Sequence, residues 1–171
     1  MFRVDIDADG TISSLKAYVK GLNQKCTKTT DTLVDDGYSL MHRRLENIIY
    51  DGDHDDAWVY DTKNGPEGTV YLEGRTAAFI EFGTGVYYPD DHPKAAEFGA
   101  VRGGYGKHQG LNPPWIYVGD PGSNGVVIHT RKRDGQPVVL TMGNPANRVV
   151  YGTARDLARI APDKVKEVFS K

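Results

Sequence analysis

Residues 13–49 read SSLKAYVKGLNQKCTKTTDTLVDDGYSLMHRRLENII, and the spacing of apolar side chains inside that stretch decides the fold. Leu15, Tyr18, Val19, Leu22, Cys26, Leu33, Leu40, Met41, Leu45 and Ile48 recur at intervals of about three, four and seven, which aligns them on one side of a helix. The spacing predicts one long helix over 13–49, with Ser13 or Ser14 as its cap. Gly37 and the threonines at 27, 29, 30 and 32 lower helix propensity and predict a bend near the middle. A helix of roughly 35 residues runs about 50 Å, longer than a compact domain of this size is wide. Part of it is therefore expected to project, or to pack on a neighbour. Cys26 is in phase with Val19, Leu33 and Leu40 and is expected to be a small core residue. As the single cysteine it cannot form an intramolecular disulfide, so stability must come from packing, which fits a reducing cytoplasm.

Downstream, an acidic run from Asp51 to Asp56 leads into two candidate strands, 57–61 and 68–73, joined through Asn64-Gly65-Pro66. Asn-Gly between β-rich runs signals a hairpin, and Pro66 and Gly68 predict a loop longer than two residues. Thr76 to Phe82 is a short apolar stretch, read as a helical turn or two, so that 57–85 forms a hairpin plus a short helix. Residues 86–114 are rich in Gly, Pro, His and Asp and show no period. They are expected to be a long flexible loop, or one ordered by a partner. Segments 115–118, 125–131 and 136–142 read as strands, with Asp134-Gly135 as the last turn. Helical spacing returns at Ala146, Val149, Val150, Thr153, Ala154, Leu157 and Ile160. Pro162 suits the first turn of a further short helix, giving helices over 146–170. The layout is α+β in a single domain, 1–171: a long N-terminal helix and a C-terminal helix packed on one face of a small, mainly antiparallel sheet, with a long flexible central loop. The other sheet face is left free, to be polar in a monomer or continued across subunits in an oligomer.

Charge and composition narrow the functional classes. A formal net charge of −2 gives no general Lys/Arg excess for tracking phosphates, although a local basic lining stays open. No run approaches the roughly 18 to 20 apolar residues of a membrane helix, and Met1-Phe2-Arg3-Val4-Asp5 lacks the order of a signal peptide. No membrane association is expected, and the chain should stay where it is made.

Several stretches invite a chemical reading. Asp5-Ile6-Asp7-Ala8-Asp9-Gly10-Thr11-Ile12 matches the opening of a calcium loop, but the twelfth place holds Lys16 where a bidentate glutamate belongs. The competing reading is a short strand entering an Asp-Gly turn. Asp51 to Asp56, with His54, could hold a hard cation weakly; a solvated acidic loop is the plainer reading. Gly103-Gly104-Tyr105-Gly106-Lys107-His108 resembles a phosphate loop in composition only, since Val101 and His108 stand where that loop needs glycine and a hydroxyl. The five histidines show no zinc spacing, and Ser123 sits in a Pro-Gly-rich turn rather than at a nucleophile elbow. No catalytic residue, cofactor or metal ligand is therefore assigned. Arg131, Lys132 and Arg133 are the only basic run, read either as a charged hairpin tip or as a contact to DNA inside a ring.

The stretch Gly74-Arg75-Thr76-Ala77-Ala78-Phe79-Ile80-Glu81-Phe82-Gly83-Thr84-Gly85 resembles the central motif of the tail-completion, or head-tail joining, proteins of long-tailed double-stranded DNA bacteriophages. The likeness lies in small residues, Ala77 and Ala78, followed by Ile80, Glu81, Phe82, Gly83, Thr84 and Gly85. Asn144-Pro145-Ala146-Asn147-Arg148 is similar to the way those proteins open their last helix. The resemblance implies a non-enzymatic virion protein of the neck. Such a protein is a monomer in solution and in the virion forms a ring, commonly hexameric, against the tail tube protein and the head connector or stopper protein. It would reside in the host cytoplasm before assembly. In that picture Glu81 is a structural acid expected to accept hydrogen bonds from amides of the 83–85 loop, with the glycines permitting the turn. The motif is open to two readings, a role in subunit contacts or a buried turn with none.

Overall fold

The structure is a computed structural model and describes residues 8–52, 54–84, 91–100, 114–123 and 125–170. The first element, α1, spans Ala8–Glu46. It begins earlier than the capping serines suggest, and Ser14 instead bonds back to the Gly10 carbonyl at 3.0 Å. The mid-helix threonines do not break it. Thr29 and Thr32 donate to the carbonyls of Lys25 and Lys28, which lets a polar side chain sit in a helix interior. Gly37 serves packing: a Cβ there would stand 3.0 Å from Leu157 and 3.2 Å from Val70, so three elements meet at one bare backbone. Arg43 and Arg44 in the last turn complement the helix dipole.

Strands β1 (Trp58–Asn64) and β2 (Glu67–Glu73) form an antiparallel hairpin whose last pair is Asn64 with Glu67. The loop is thus the two-residue Gly65-Pro66, shorter than expected; glycine takes φ 60 at the first position and proline's fixed φ suits the second. Val59, Val70 and Leu72 turn inward and join Met41, Tyr50, Ile80 and Val149 in the core. Helix α2 (Ala77–Phe82) follows at once. The remaining strands, β3 (Trp115–Val118), β4 (Val126–Thr130) and β5 (Pro137–Thr141), form a second antiparallel sheet in the order β3-β5-β4. The fold is α+β as predicted, with its strands divided between two small sheets rather than gathered in one. Gly74 to Thr76 and α2 carry the chain away from the hairpin edge before the later strands begin.

Helix α3 (Val149–Phe169) is continuous, with Pro162 inside it rather than at the start of a separate helix. Pro162 has no N–H for the Ala158 carbonyl, a loss borne because the helix is anchored on both sides of it. Arg44 bonds Asp156 at 2.7 Å and Lys164 bonds Asp36 at 2.8 Å, which lays α3 antiparallel along the second half of α1. Lys25 reaches the ring and the carbonyl of Phe169, where this contact ends. α1 from there to its C-terminus lies between α3 and the hairpin, while the part before it projects. Cys26, one residue beyond Lys25, is exposed, so the apolar phase it shares with Val19, Leu33 and Leu40 does not make it a core residue. Within 86–114, residues 91–100 form a chain of turns with His92, Ala95 and Ala100 buried; 86–90 and 101–113 lie outside the described residues.

Candidate functional site

The centre of the molecule is a buried polar junction around Glu81. The helical period of α2 turns Ile80 and Glu81 inward together, Ile80 fully buried and Glu81 6% exposed. Glu81 Oε2 accepts the Val150 amide at 2.7 Å, and Oε1 accepts the Tyr151 amide at 2.9 Å. These are donors in the first turn of α3, which its N-cap residue leaves unserved: Arg148 is left-handed (φ 54) and makes no side-chain cap bond. A carboxylate from another element thus does the work of an N-cap and meets the positive end of the helix dipole. The amides expected to hold Glu81 are engaged elsewhere, Gly83 with Phe79 O at 2.9 Å and Thr84 with Asn144 O at 2.8 Å. Gly85 lies outside the described residues.

His92 completes the junction. Its Nδ1 accepts the Lys94 amide at 3.0 Å, so in the neutral ring the proton sits on Nε2 and is donated to Glu81 Oε1 at 3.0 Å. Its ring stands edge-on to Phe82 and Tyr151, with centroids 4.6 and 5.4 Å away. Beside the pair lies an open hollow of about 390 Å³, lined by Leu72, Ala78, Phe82, Phe98 and Ala154 among others. Both carboxylate oxygens and both ring nitrogens are already bonded within the protein. The arrangement joins α2, α3 and 91–100 at one point.

The two stretches that carry the family resemblance meet in space. Asn144 donates its amide to Thr84 Oγ1 at 3.0 Å and receives that of Thr84 on its carbonyl, while Asn147 donates to Ile80 O at 2.9 Å. Gly83, at φ 77, is the turn that permits this, since a Cβ there would come 2.7 Å from the Asn144 carbonyl. The same asparagines clasp the chain leaving α1. Asn147 accepts from Ile49 N at 2.8 Å and donates to Ile49 O at 3.0 Å, and Asn144 treats Asp51 in the same way. On the opposite side Ser123 pairs with both backbone groups of Tyr50. Each side-chain amide imitates the edge of a strand, satisfying backbone groups of 49–51 that no described strand pairs.

The acidic run 51–56 is not simply solvated. Asp51 is buried and accepts from Thr141 Oγ1, and Asp56 accepts from Thr76 Oγ1 and, at 2.9 Å, from Arg75 Nε. The Thr76 hydroxyl bond, more than Arg75, holds the Asp56 carboxyl below its usual range. Burial first, then the charges of Asp56 and Asp51, push the Tyr50 phenol up to about 12. Of the N-terminal calcium-like stretch, Asp9 and Gly10 already belong to α1, and 5–7 lie outside the described residues. Among the described residues no three His, Cys, Asp or Glu side chains converge as a metal site. Arg131, Lys132 and Arg133 stand at the β4–β5 turn, Arg131 half-buried against Asp134 at 3.4 Å and the other two exposed. Sequence reasoning missed His92 and Thr141 altogether, and it read Asp51 as part of an acidic run and Ser123 as part of a turn without the bonds that bury them. Asn144 and Asn147 also stood in a stretch already singled out. Among protein-family models, curated proteins and solved structures, none matches this chain.

Proposed function

We propose that this chain is a structural virion protein that completes the tail of a long-tailed phage and joins it to the head, working as a ring of copies at the neck. The observation that carries the reading is apolar surface left uncovered among the described residues. Ile12, Leu15, Tyr18 and Val19 on the projecting helix are each about half exposed or more, and so is Ile116 on β3. Ile116, Leu140 and Val126 are register partners on one sheet face, and β3 and β4 leave both sheet edges unpaired among the described strands. A small domain gains by burying such surface against partners. Further support is the motif from Ala77 to Thr84, whose polar atoms are spent on holding elements together, as a scaffold requires.

Its partners in this reading are other copies, the tail tube protein and the head connector or stopper. The exposed tip at Lys132 and Arg133 is the part that would touch genomic DNA in the ring. Light scattering on the purified chain, with and without purified tail tubes, tests the proposal. The expected result is a monomer at micromolar concentration and a closed ring once tubes are added; a mass indifferent to tubes overturns it.

A further inference from the structure

Two uncovered surfaces of this chain are apolar and opposite in charge. The first is the arm, the part of α1 ahead of Lys25. Between Gly10 and Thr30 the only charged side chains are four lysines, at 16, 20, 25 and 28. Lys16 and Lys20 flank the stripe of Ile12, Leu15 and Val19, which are exposed by 48, 57 and 52%. The second is the outer face of the β1–β2 hairpin. Side chains alternate along a strand, so the pairs Trp58 with Glu73, Tyr60 with Tyr71 and Asn64 with Glu67 share the face turned away from Val59 and Leu72. Trp58, Tyr60 and Tyr71 are all exposed there, and the two tyrosine rings stack at 4.6 Å between Glu67 and Glu73.

The two surfaces cannot meet within one molecule. Thr30 bonds Pro66 O at 3.0 Å and Lys63 bonds Asp35, so the inner hairpin face lies along the second half of α1 with its tip at residue 30. The arm continues the same helix past that tip, and an unbroken helix does not turn back onto the far side of its own neighbour. We propose that the arm of one copy docks on the outer hairpin face of a second copy, head to tail. Lysines at the edges of the stripe then meet glutamates and the faces of aromatic rings, which attract cations, while the stripe covers the rings. Arm-to-arm pairing sets lysines against lysines, and hairpin-to-hairpin pairing sets glutamates against glutamates. A head-to-tail contact leaves one arm and one face free at the ends, so it propagates until a rotation closes it into a ring.

This inference rests on the reading of the chain as an assembling protein, and it is tested on the chain alone. Sedimentation equilibrium of the full chain at rising concentration and low salt compares wild type with two double variants, Lys16→Glu with Lys20→Glu, and Glu67→Lys with Glu73→Lys. Circular dichroism checks that both fold. Above micromolar concentration wild type is expected to associate, less so as salt rises, and each variant alone should associate at least about tenfold more weakly. An equimolar mixture of the two variants restores association, because each reversed surface then finds its complement. Association unchanged in the variants, association that strengthens with salt, or a wild type that stays monomeric throughout overturns the docking. A chain that associates as described yet ignores tail tubes leaves the docking standing and overturns only the neck reading.

Discussion

Glu81 shows how much one buried side chain can be asked to do between Ile80 and Phe82. It serves two amides of α3 and the ring of His92 from a buried position. Replacing it by alanine strands those donors, and a buried donor without a partner costs about 1–3 kcal/mol. Glu81→Ala is expected to lower stability by about 3 kcal/mol in urea unfolding, and Glu81→Gln, which keeps one accepting oxygen, by about half of that. A loss under about 1 kcal/mol for alanine would mean that water takes over the cap. The sequence marked Glu81 as a structural acid with the 83–85 amides as its partners; in the structure its carboxylate serves Val150, Tyr151 and His92 instead, while Gly83 does turn the chain at φ 77. What it could not mark is the far end of each bond, because the first turn of α3 and His92 are remote from Glu81 in sequence and nothing local links them to it. An N-cap is legible when it is local; supplied from another element, it is visible only in three dimensions.

At the scale of elements, period and turn chemistry served well where a segment's structure is decided by its own residues. The hairpin, α2, the three later strands and the last helix fall close to their predicted spans. The departures come where tertiary contact overrides local preference. Pro162 sits within α3 because ion pairs and apolar contacts hold that helix to α1 on either side, and Cys26 is exposed although its phase is apolar. Asp156 makes the α1–α3 joint testable. The Arg44 hydrogen bond, then the charges of Arg44, Arg159 and Arg155, hold its carboxyl below the ordinary value of 3.8. A lowered folded-state pKa stabilises fully above the ordinary value, and the contribution is lost as pH falls through the lowered one. Asp156→Asn is therefore expected to unfold at lower urea than wild type at neutral pH, with the gap closing below pH 3.8. A gap that persists unchanged in acid would mean that the carboxylate charge is not what joins the helices there.

For the whole molecule, the excess length of α1 over the body was legible from the helix alone, since the rise per residue sets how far it must reach. Its direction was not legible, because that depends on where α3 and the hairpin end. The arm makes little contact with the body, so a chain lacking residues 1–24 is expected to keep the wild-type urea midpoint within about 0.5 kcal/mol of stability. It should lose only the helical dichroism of the missing turns. A large drop in stability would place the arm in the folding unit.

The clasp of Asn144, Asn147 and Ser123 on residues 49–51 also bears on how the molecule breathes. Among the described residues no helix lies in extended contact with the β3-β5-β4 sheet, and hydrogen bonds tie it to the body chiefly through that short length of backbone. A sheet hung on so narrow a joint can open as a unit while the helical body stays closed, and such openings set the rate at which amide hydrogens trade with solvent. Hydrogen exchange is expected to find the amides of β5 exchanging together and faster than those of α1 between Lys25 and Glu46, with Asn144→Ala hastening the first group alone.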